Sequence, residues 1–181
     1  EERLNWAKKL FNEAKAAPSG VNDLQKFLGL DTGAYAKGIK GNGVIVGVID
    51  TGIRPEHPML RDNGTFPAAP TLDESERSAC AFGNQAWNPN DKPFTCNNKL
   101  IGAREFLDVY KSQTGLEHDE FDSARDNEGH GTHTATTAAG NANVQSRIFG
   151  VNKDIVSGIA PRAQIIAYKA LGDAGGYGSD L

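Results

Sequence analysis

Two of the four histidines in this chain lie three residues apart in a stretch of small side chains, DNEGHGTHTATTAAG, at residues 126–140. His130 stands between two glycines at the expected start of a helix, where the helix dipole lowers the pKa of an imidazole and a nearby carboxylate would raise it. An imidazole balanced between these effects can take up and return a proton near neutral pH. The pattern therefore predicts a catalytic base, with a structural histidine as the alternative.

A carboxylate suited to that histidine ends the apolar run GVIVGVID at residues 43–50. The apolar residues are continuous rather than alternating, which predicts a strand of a parallel sheet that is buried on both faces. Active sites of such sheets lie at the carboxyl ends of the strands. Asp50 is therefore a candidate functional group, with a turn or capping aspartate as the alternative. Since His130 follows eighty residues later, any contact between the two must be tertiary.

Other segments supply the elements that must position this pair. Residues 99–106, KLIGAREF, and 164–171, QIIAYKAL, predict two further strands, and the alanines and threonines after Gly129 predict a short, closely packed helix. Residues 2–16 predict an amphipathic helix that ends at a Pro-Ser-Gly sequence. Residues 54–98 are rich in proline and contain both cysteines, which predicts irregular structure.

Composition and charge limit the classes of protein that this chain can represent. The 181 residues carry a formal net charge of −4 and are 38% hydrophobic, which suits a packed core in one domain or in part of a larger one. A mildly acidic chain does not favour nucleic acid as a partner, and no apolar run approaches the ~20 residues that span a bilayer. The chain opens on EERLNWAKKL rather than on a signal peptide, so secretion would require that a leader has been removed.

Two further features leave alternatives open. Cys80 and Cys96, separated by fifteen residues, suit a disulfide in a secreted protein or two free thiols in a cytosolic one. The acidic segment EHDEFDSARDNE at residues 117–128 predicts a solvated surface, with a calcium site as the alternative.

Several motifs resemble those of the subtilisin-like serine proteases, the subtilases. VIVGVIDTGI at residues 44–53 is similar to the aspartate block of that family, and GHGTHTA at residues 129–135 is similar to its histidine block. SGIAPRAQIIAYKAL at residues 157–171 resembles the segment that follows these blocks. The likeness runs from about Phe27 to the last residue. It is closest to the plant-type, cucumisin-like members, which five segments resemble: FLGL, IDTGIRPEHP, CNNKLIGAREF, ARDNEGHGTHTATTAAG and GIAPRAQIIAYKA. Five motifs in the right order are far more specific than any one of them.

The resemblance implies an α/β fold of the subtilisin-like, three-layer kind, with a mainly parallel sheet and helices on both faces, incomplete in this chain. Residues 21–181 would form the N-terminal part of a catalytic domain. Residues 1–20 would form an N-terminal helix that is either a prosegment remnant or a feature of this protein. Asp50 would orient and support the imidazole, and His130 would act as general base and then as general acid, in the chain order of subtilisin itself.

The same resemblance implies further properties. Cys80 and Cys96 would form a disulfide that flanks one loop, in a secreted protein. A loop that lines the substrate would contain Gly176, Tyr177 and Gly178. An extended peptide can pair with the backbone of such a loop, and an ordinary glycine-rich turn is the alternative. No metal or cofactor is implied, and calcium lacks a clear motif. The implied partners are a protein or peptide substrate, the remainder of the catalytic domain and an inhibitory prosegment, without nucleic acid or membrane.

The family's third block, Gly-Thr-Ser followed by small residues, has no counterpart in this sequence. None of the serines stands in such a context: Ser19, Ser75, Ser78, Ser112, Ser123, Ser146, Ser157 and Ser179. We therefore expect part of a serine endopeptidase whose nucleophile lies beyond the end of this chain, and expect the chain alone to be inactive. The alternative is a non-catalytic subtilase-like module that binds peptides or a partner.

Two other hydrolase chemistries match parts of the pattern. Asp50-Thr51-Gly52 matches the aspartic protease signature, but that chemistry needs two carboxylates that share a proton, and therefore a homodimer. It also expects an all-β fold, which the small-residue helix contradicts. A metal-dependent hydrolase would use His130, His133 and an acidic neighbour, although their spacing is not that of the helical zinc motif.

Overall fold

The computed structural model describes residues 25–70 and 79–181, so the helix predicted at residues 2–16 lies outside the described residues. The strands and helices, in chain order, are β1 (Ile45–Asp50), β2 (Leu100–Glu105), α1 (Asp108–Gln113), α2 (His130–Ala139), β3 (Val144–Ile148), β4 (Val151–Val156) and β5 (Gln164–Lys169), with 3-10 turns at Tyr35–Lys37 and Pro58–Leu60. Within the described ranges, no helix is both long and apolar enough to cross a bilayer.

A parallel sheet of three strands, in the order β1-β5-β2, forms the centre of the fold. The central strand β5 has a neighbour on each side, and five of its six residues are buried. The register pairs Ile45 with Gln164 and Asp50 with Lys169. The α/β class with a parallel sheet is therefore confirmed, and the carboxyl ends of β1 and β5 lie side by side.

Only one face of β1 is covered by the elements that the structure describes. Val48 and Asp50 are buried, whereas Ile45 and Ile49 are 40% and 55% exposed. Helix α2 packs against the buried face, where Ala135 and Val48 share one apolar cluster. The prediction of a strand buried on both faces is therefore wrong for β1 within the described part of the chain. A continuous apolar run indicates that both faces of the strand are apolar. It does not indicate whether another element covers each face.

The segment between α2 and β5 forms an antiparallel hairpin of β3 and β4, which the sequence analysis did not predict. Its two-residue turn consists of Phe149 and Gly150, with φ values of 49° and 77°. Positive φ at both central residues is the type I′ geometry that suits the twist of a hairpin. A phenylalanine rarely adopts this conformation, so the turn gives only a weak signal in the sequence.

The disulfide joins Cys80 to Cys96, with their Cα atoms 5.8 Å apart. Residues next to Cys80 extend the sheet, because the Ala103 amide of β2 donates to the Ala79 carbonyl and the Ala81 amide donates to the Ala103 carbonyl. The cross-link therefore closes an irregular loop at its attachment to the sheet. The disulfide that the family resemblance implied is confirmed.

Replacing both cysteines by serine is expected to lower the free energy of unfolding by about 3 kcal/mol, because the cross-link restricts the unfolded chain over a loop of this length. Urea denaturation monitored by circular dichroism measures this change. Reduction of the unaltered protein should lower its stability by the same amount, and the reductant should leave the double variant unchanged. An unaltered denaturation midpoint in the double variant would contradict the prediction.

Candidate active site

Asp50 and His130 meet at the carboxyl end of the sheet, where Asp50 Oδ1 lies 2.7 Å from His130 Nδ1. Asp50 is the last residue of β1 and His130 is the first residue of α2. The aspartate is 6% exposed, whereas the histidine side chain is 63% exposed. The structure therefore brings together the two residues that the sequence singled out, and it leaves most of the imidazole open to solvent.

Glycines allow the end of β1 and the start of α2 to approach each other closely. A Cβ atom on Gly131 would lie 2.3 Å from the carbonyl oxygen of Gly52 and 3.1 Å from Cβ of Asp50, so a side chain at residue 131 cannot be accommodated without movement. Gly129 precedes the helix with a φ of 107°, a conformation that favours glycine. Gly131 thus permits the contact between the two elements, and Gly129 permits the backbone turn that leads into α2.

Short hydrogen bonds fix the aspartate and the helix start. The backbone amide of Thr51 donates to Asp50 Oδ1 over 2.7 Å, so the oxygen that faces His130 is held by its own neighbour in sequence. The amide of Gly131 donates to Thr51 Oγ1 over 2.9 Å. The residue after the aspartate is therefore bonded to the residue after the histidine.

The pKa of His130 is raised above its ordinary value of 6.5, first by its hydrogen bond to Asp50 and then by the charge of the same carboxylate. Loss of water lowers this pKa, and the charges of Glu128 and Asp126 raise it further. A raised pKa means that protonated His130 stabilises the folded state below its ordinary pKa, and that this contribution is lost as the pH rises through the raised value. The carboxylates therefore outweigh the loss of water at the ring.

The acidic segment 117–128 runs partly through the interior. Glu120 and Asp126 are 0% and 1% exposed, so the prediction of a solvated surface is wrong for these two side chains. Burial alone would raise the pKa of Asp126, but hydrogen bonds from Thr132, Gly129 and Thr51 outweigh burial and lower it. The described residues contain no group of three or more His, Cys, Asp or Glu side chains placed to hold a metal ion.

Lys169 is a buried charge whose role is not evident from the sequence, where it stands within the run predicted to form a strand. It is fully buried at the end of β5, beside Asp50 in the strand register. Its Nζ donates to the carbonyls of Phe121 and Arg125 and to Oδ1 of Asn127, over 3.0 to 3.2 Å. Burial lowers the pKa of Lys169, although nearby carboxylates counteract that shift. The ammonium group thus holds the segment that leads into α2.

The loop predicted to line the substrate leaves β5 beside the aspartate, where the Ala170 amide donates to the backbone carbonyl of Asp50 over 3.0 Å. Gly176, Tyr177 and Gly178 are exposed in this loop. They therefore lie in a segment that starts at the site, and their role in substrate binding stays a prediction.

The sequence of this chain is similar to those of known proteases. Residues 41–181 match the model of the Subtilase family. The subtilisin-like proteases SBT1.4 and SBT2.3 of Arabidopsis thaliana are each 40% identical to the chain, covering 86% of it and 20% and 19% of the relatives. The chain thus spans about a fifth of their length. A solved structure of a Pseudoalteromonas arctica protease aligns with this chain at 23% sequence identity and a TM-score of 0.39. The alignment covers 83% of this chain and 36% of the protease chain.

Replacing Asp50 by asparagine is expected to lower the pKa of His130 toward its ordinary value, because the change removes both the charge and the carboxylate acceptor. NMR titration of the histidine ring protons measures this pKa. Glu128→Gln, which removes a charge without a hydrogen bond to the ring, should lower the pKa by less. A His130 pKa that does not change in Asp50→Asn would contradict the assigned cause.

Replacing Gly131 by alanine is expected to push α2 away from the end of β1, since the new Cβ would lie 2.3 Å from the carbonyl oxygen of Gly52. Overpacking of this kind costs about 1–3 kcal/mol, and we expect the Asp50–His130 hydrogen bond to be lost with it. Chemical denaturation and the His130 titration measure the two effects. Thr137→Ala, at an exposed position of the same helix, is the matched control. Equal stability of both variants would show that the close contact is not required.

Proposed function

We propose, because this chain belongs to the subtilase family, that it supplies the aspartate and the histidine of a serine endopeptidase that hydrolyses peptide bonds. The 2.7 Å contact between Asp50 and His130 at the carboxyl end of the parallel sheet is the observation that carries the proposal. Both residues lie within the region, 41–181, that matches the family.

Asp50 acts through the imidazole in this proposal. A carboxylate only accepts hydrogen bonds, so Nδ1 of His130 carries the proton that faces Asp50, and Nε2 carries the lone pair. The carboxylate holds the ring in this tautomer and stabilises the imidazolium that forms when Nε2 takes up a proton. The raised pKa of His130 supports this second role.

His130 transfers the protons of both halves of the reaction. Its Nε2 takes the proton of the serine hydroxyl while the serine oxygen bonds to the carbonyl carbon of the peptide. The imidazolium then gives that proton to the nitrogen of the leaving amine as the carbon–nitrogen bond breaks. A water molecule attacks the acyl-enzyme with the same assistance, which releases the acid and regenerates the serine.

The nucleophilic serine is proposed to come from sequence outside these 181 residues, because none of the eight serines stands in the context that the family requires. The relatives are about five times as long as the part that this chain matches. The chain by itself is therefore expected to be inactive, since loss of the nucleophile costs about 10⁶-fold in turnover in subtilisin itself.

Protein or peptide chains are the proposed substrates. An extended peptide can pair with the exposed backbone of Gly176, Tyr177 and Gly178 as an added strand, which would place it across the site that begins at Asp50. The other proposed partners are the remainder of the catalytic domain and an inhibitory prosegment. The chemistry of the triad needs no metal or organic cofactor.

We also propose an extracellular location. The disulfide between Cys80 and Cys96 supports it, because such cross-links form and persist in oxidising compartments.

In the full-length protein, His130→Ala is expected to lower kcat for peptide hydrolysis by about 10⁶-fold, on the scale measured in subtilisin itself. Asp50→Asn is expected to lower kcat by roughly 10⁴-fold, as the same change does in another serine protease triad. A fluorogenic peptide assay measures both changes. His118→Ala, which removes an exposed histidine of the 117–128 segment, should retain activity.

A serine-directed fluorophosphonate probe tests the position of the nucleophile. It should label the full-length protein and leave the 181-residue chain unlabelled. Stoichiometric labelling of the 181-residue chain would contradict the proposed position. A full-length protein that binds peptides without cutting them or reacting with the probe would indicate the non-catalytic module instead.

A further inference from the structure

A second carboxylate, that of Asp126, lies behind the Asp50–His130 pair and hydrogen-bonds to neither of its members. Asp126 is 1% exposed and stands four residues before His130. Its Oδ1 accepts hydrogen bonds from Thr51 Oγ1 over 3.0 Å and from the Gly129 amide over 2.7 Å. Its Oδ2 accepts from the amide and the hydroxyl of Thr132. Four donors thus converge on one buried side chain.

These donors come from both elements that carry the pair. Thr51 directly follows Asp50, whereas Gly129 and Thr132 belong to the start of α2, on either side of His130. The Thr51 hydroxyl donates to Asp126 and therefore turns its lone pairs toward the Gly131 amide, which donates to it over 2.9 Å. Asp126, Thr51 and Gly131 thus form one continuous link between the strand end and the helix start.

The backbone of Asp126 is held independently of α2. Its amide donates to the Ile53 carbonyl over 3.1 Å, and the Ile53 amide donates to the Ala124 carbonyl over 3.0 Å. Lys169 binds the residues on either side of Asp126, through the Arg125 carbonyl and Asn127 Oδ1. The backbone of Asp126 is therefore fixed, and its carboxylate determines where the first turn of α2 lies.

We propose that Asp126 is a positioning residue whose carboxylate holds the first turn of α2 against the end of β1, so that the side chains of Asp50 and His130 meet. It does not touch the reacting atoms. Its catalytic consequence rests on the function proposed above, whereas the claim about position concerns only the Asp50–His130 hydrogen bond.

Two substitutions separate this role from general stabilisation. Asp126→Asn replaces one acceptor oxygen by an NH₂ group, which is itself a donor. The two protein donors that bind this oxygen are then left without an acceptor. Thr51→Val keeps the shape of the side chain and the backbone amide that binds Asp50, but it removes the hydroxyl that joins Asp126 to Gly131. Thr51→Ser restores that hydroxyl and is the conservative rescue.

The test follows the Nδ1 proton of His130 by NMR in the full-length protein labelled with ¹⁵N-histidine, because a proton held between an imidazole and a carboxylate resonates far downfield. We expect Asp126→Asn and Thr51→Val to lose this resonance and Thr51→Ser to keep it. Glu128→Gln is the control, since it removes a carboxylate that also raises the pKa of His130 but that is exposed. It should keep the resonance.

Activity provides the second readout. We expect kcat to fall about 10²-fold in Thr51→Val with KM little changed, because a displacement of about 1 Å at the reacting groups costs this much. Thr51→Ser should restore kcat. If Asp126→Asn fails to fold, Thr51→Val still decides the question, because it leaves the buried charge in place.

A downfield resonance that persists in Thr51→Val, or in folded Asp126→Asn, would overturn the proposal. The resonance does not require a nucleophilic serine. A protein that has the Asp126-dependent resonance but cuts no peptide would therefore overturn the proposed function and leave the positioning role intact.

Discussion

The end of β1 lies against the start of α2 at a separation that only glycine permits, and the candidate site depends on this contact. The Gly52 carbonyl occupies the space that a side chain on Gly131 would need. Ala135 and Ala139 continue the close approach along the helix, because both pack in the core. Small side chains thus bring the two backbones together, and the hydrogen bond between Asp50 and His130 follows from their position.

The interior beneath this contact is polar, unlike the apolar cluster around β5. Asp126 and Lys169 are buried there with hydrogen bonds to backbone groups and side chains. Buried charges contribute little net stability, because the loss of water offsets their attraction. Hydrogen bonds are directional, however, so a satisfied polar network allows fewer arrangements than an apolar one. The network therefore accounts better for the precision of the site than for the stability of the fold.

The sequence predicted the parts of the molecule that follow from residue type and local pattern. The position of Asp50 at the end of an apolar run and that of His130 among glycines predicted the site. The apolar run at residues 164–171 predicted β5. The exposed face of β1 was missed because an apolar residue does not reveal whether another element covers it. Asp126 was missed because an acidic residue in an acidic segment resembles a solvated one, and its four donors are brought to it by tertiary structure.

The exposure of the imidazole bears on the direction of its pKa shift and on how the pKa changes when the ring is covered. With 63% of the side chain exposed, the loss of water is outweighed and the carboxylates raise the pKa of His130. Any group that covers the ring, a bound substrate included, removes water from it and disfavours the charged form. Covering the ring therefore opposes the shift that the carboxylates cause and lowers the pKa of His130 from its value in the uncovered site.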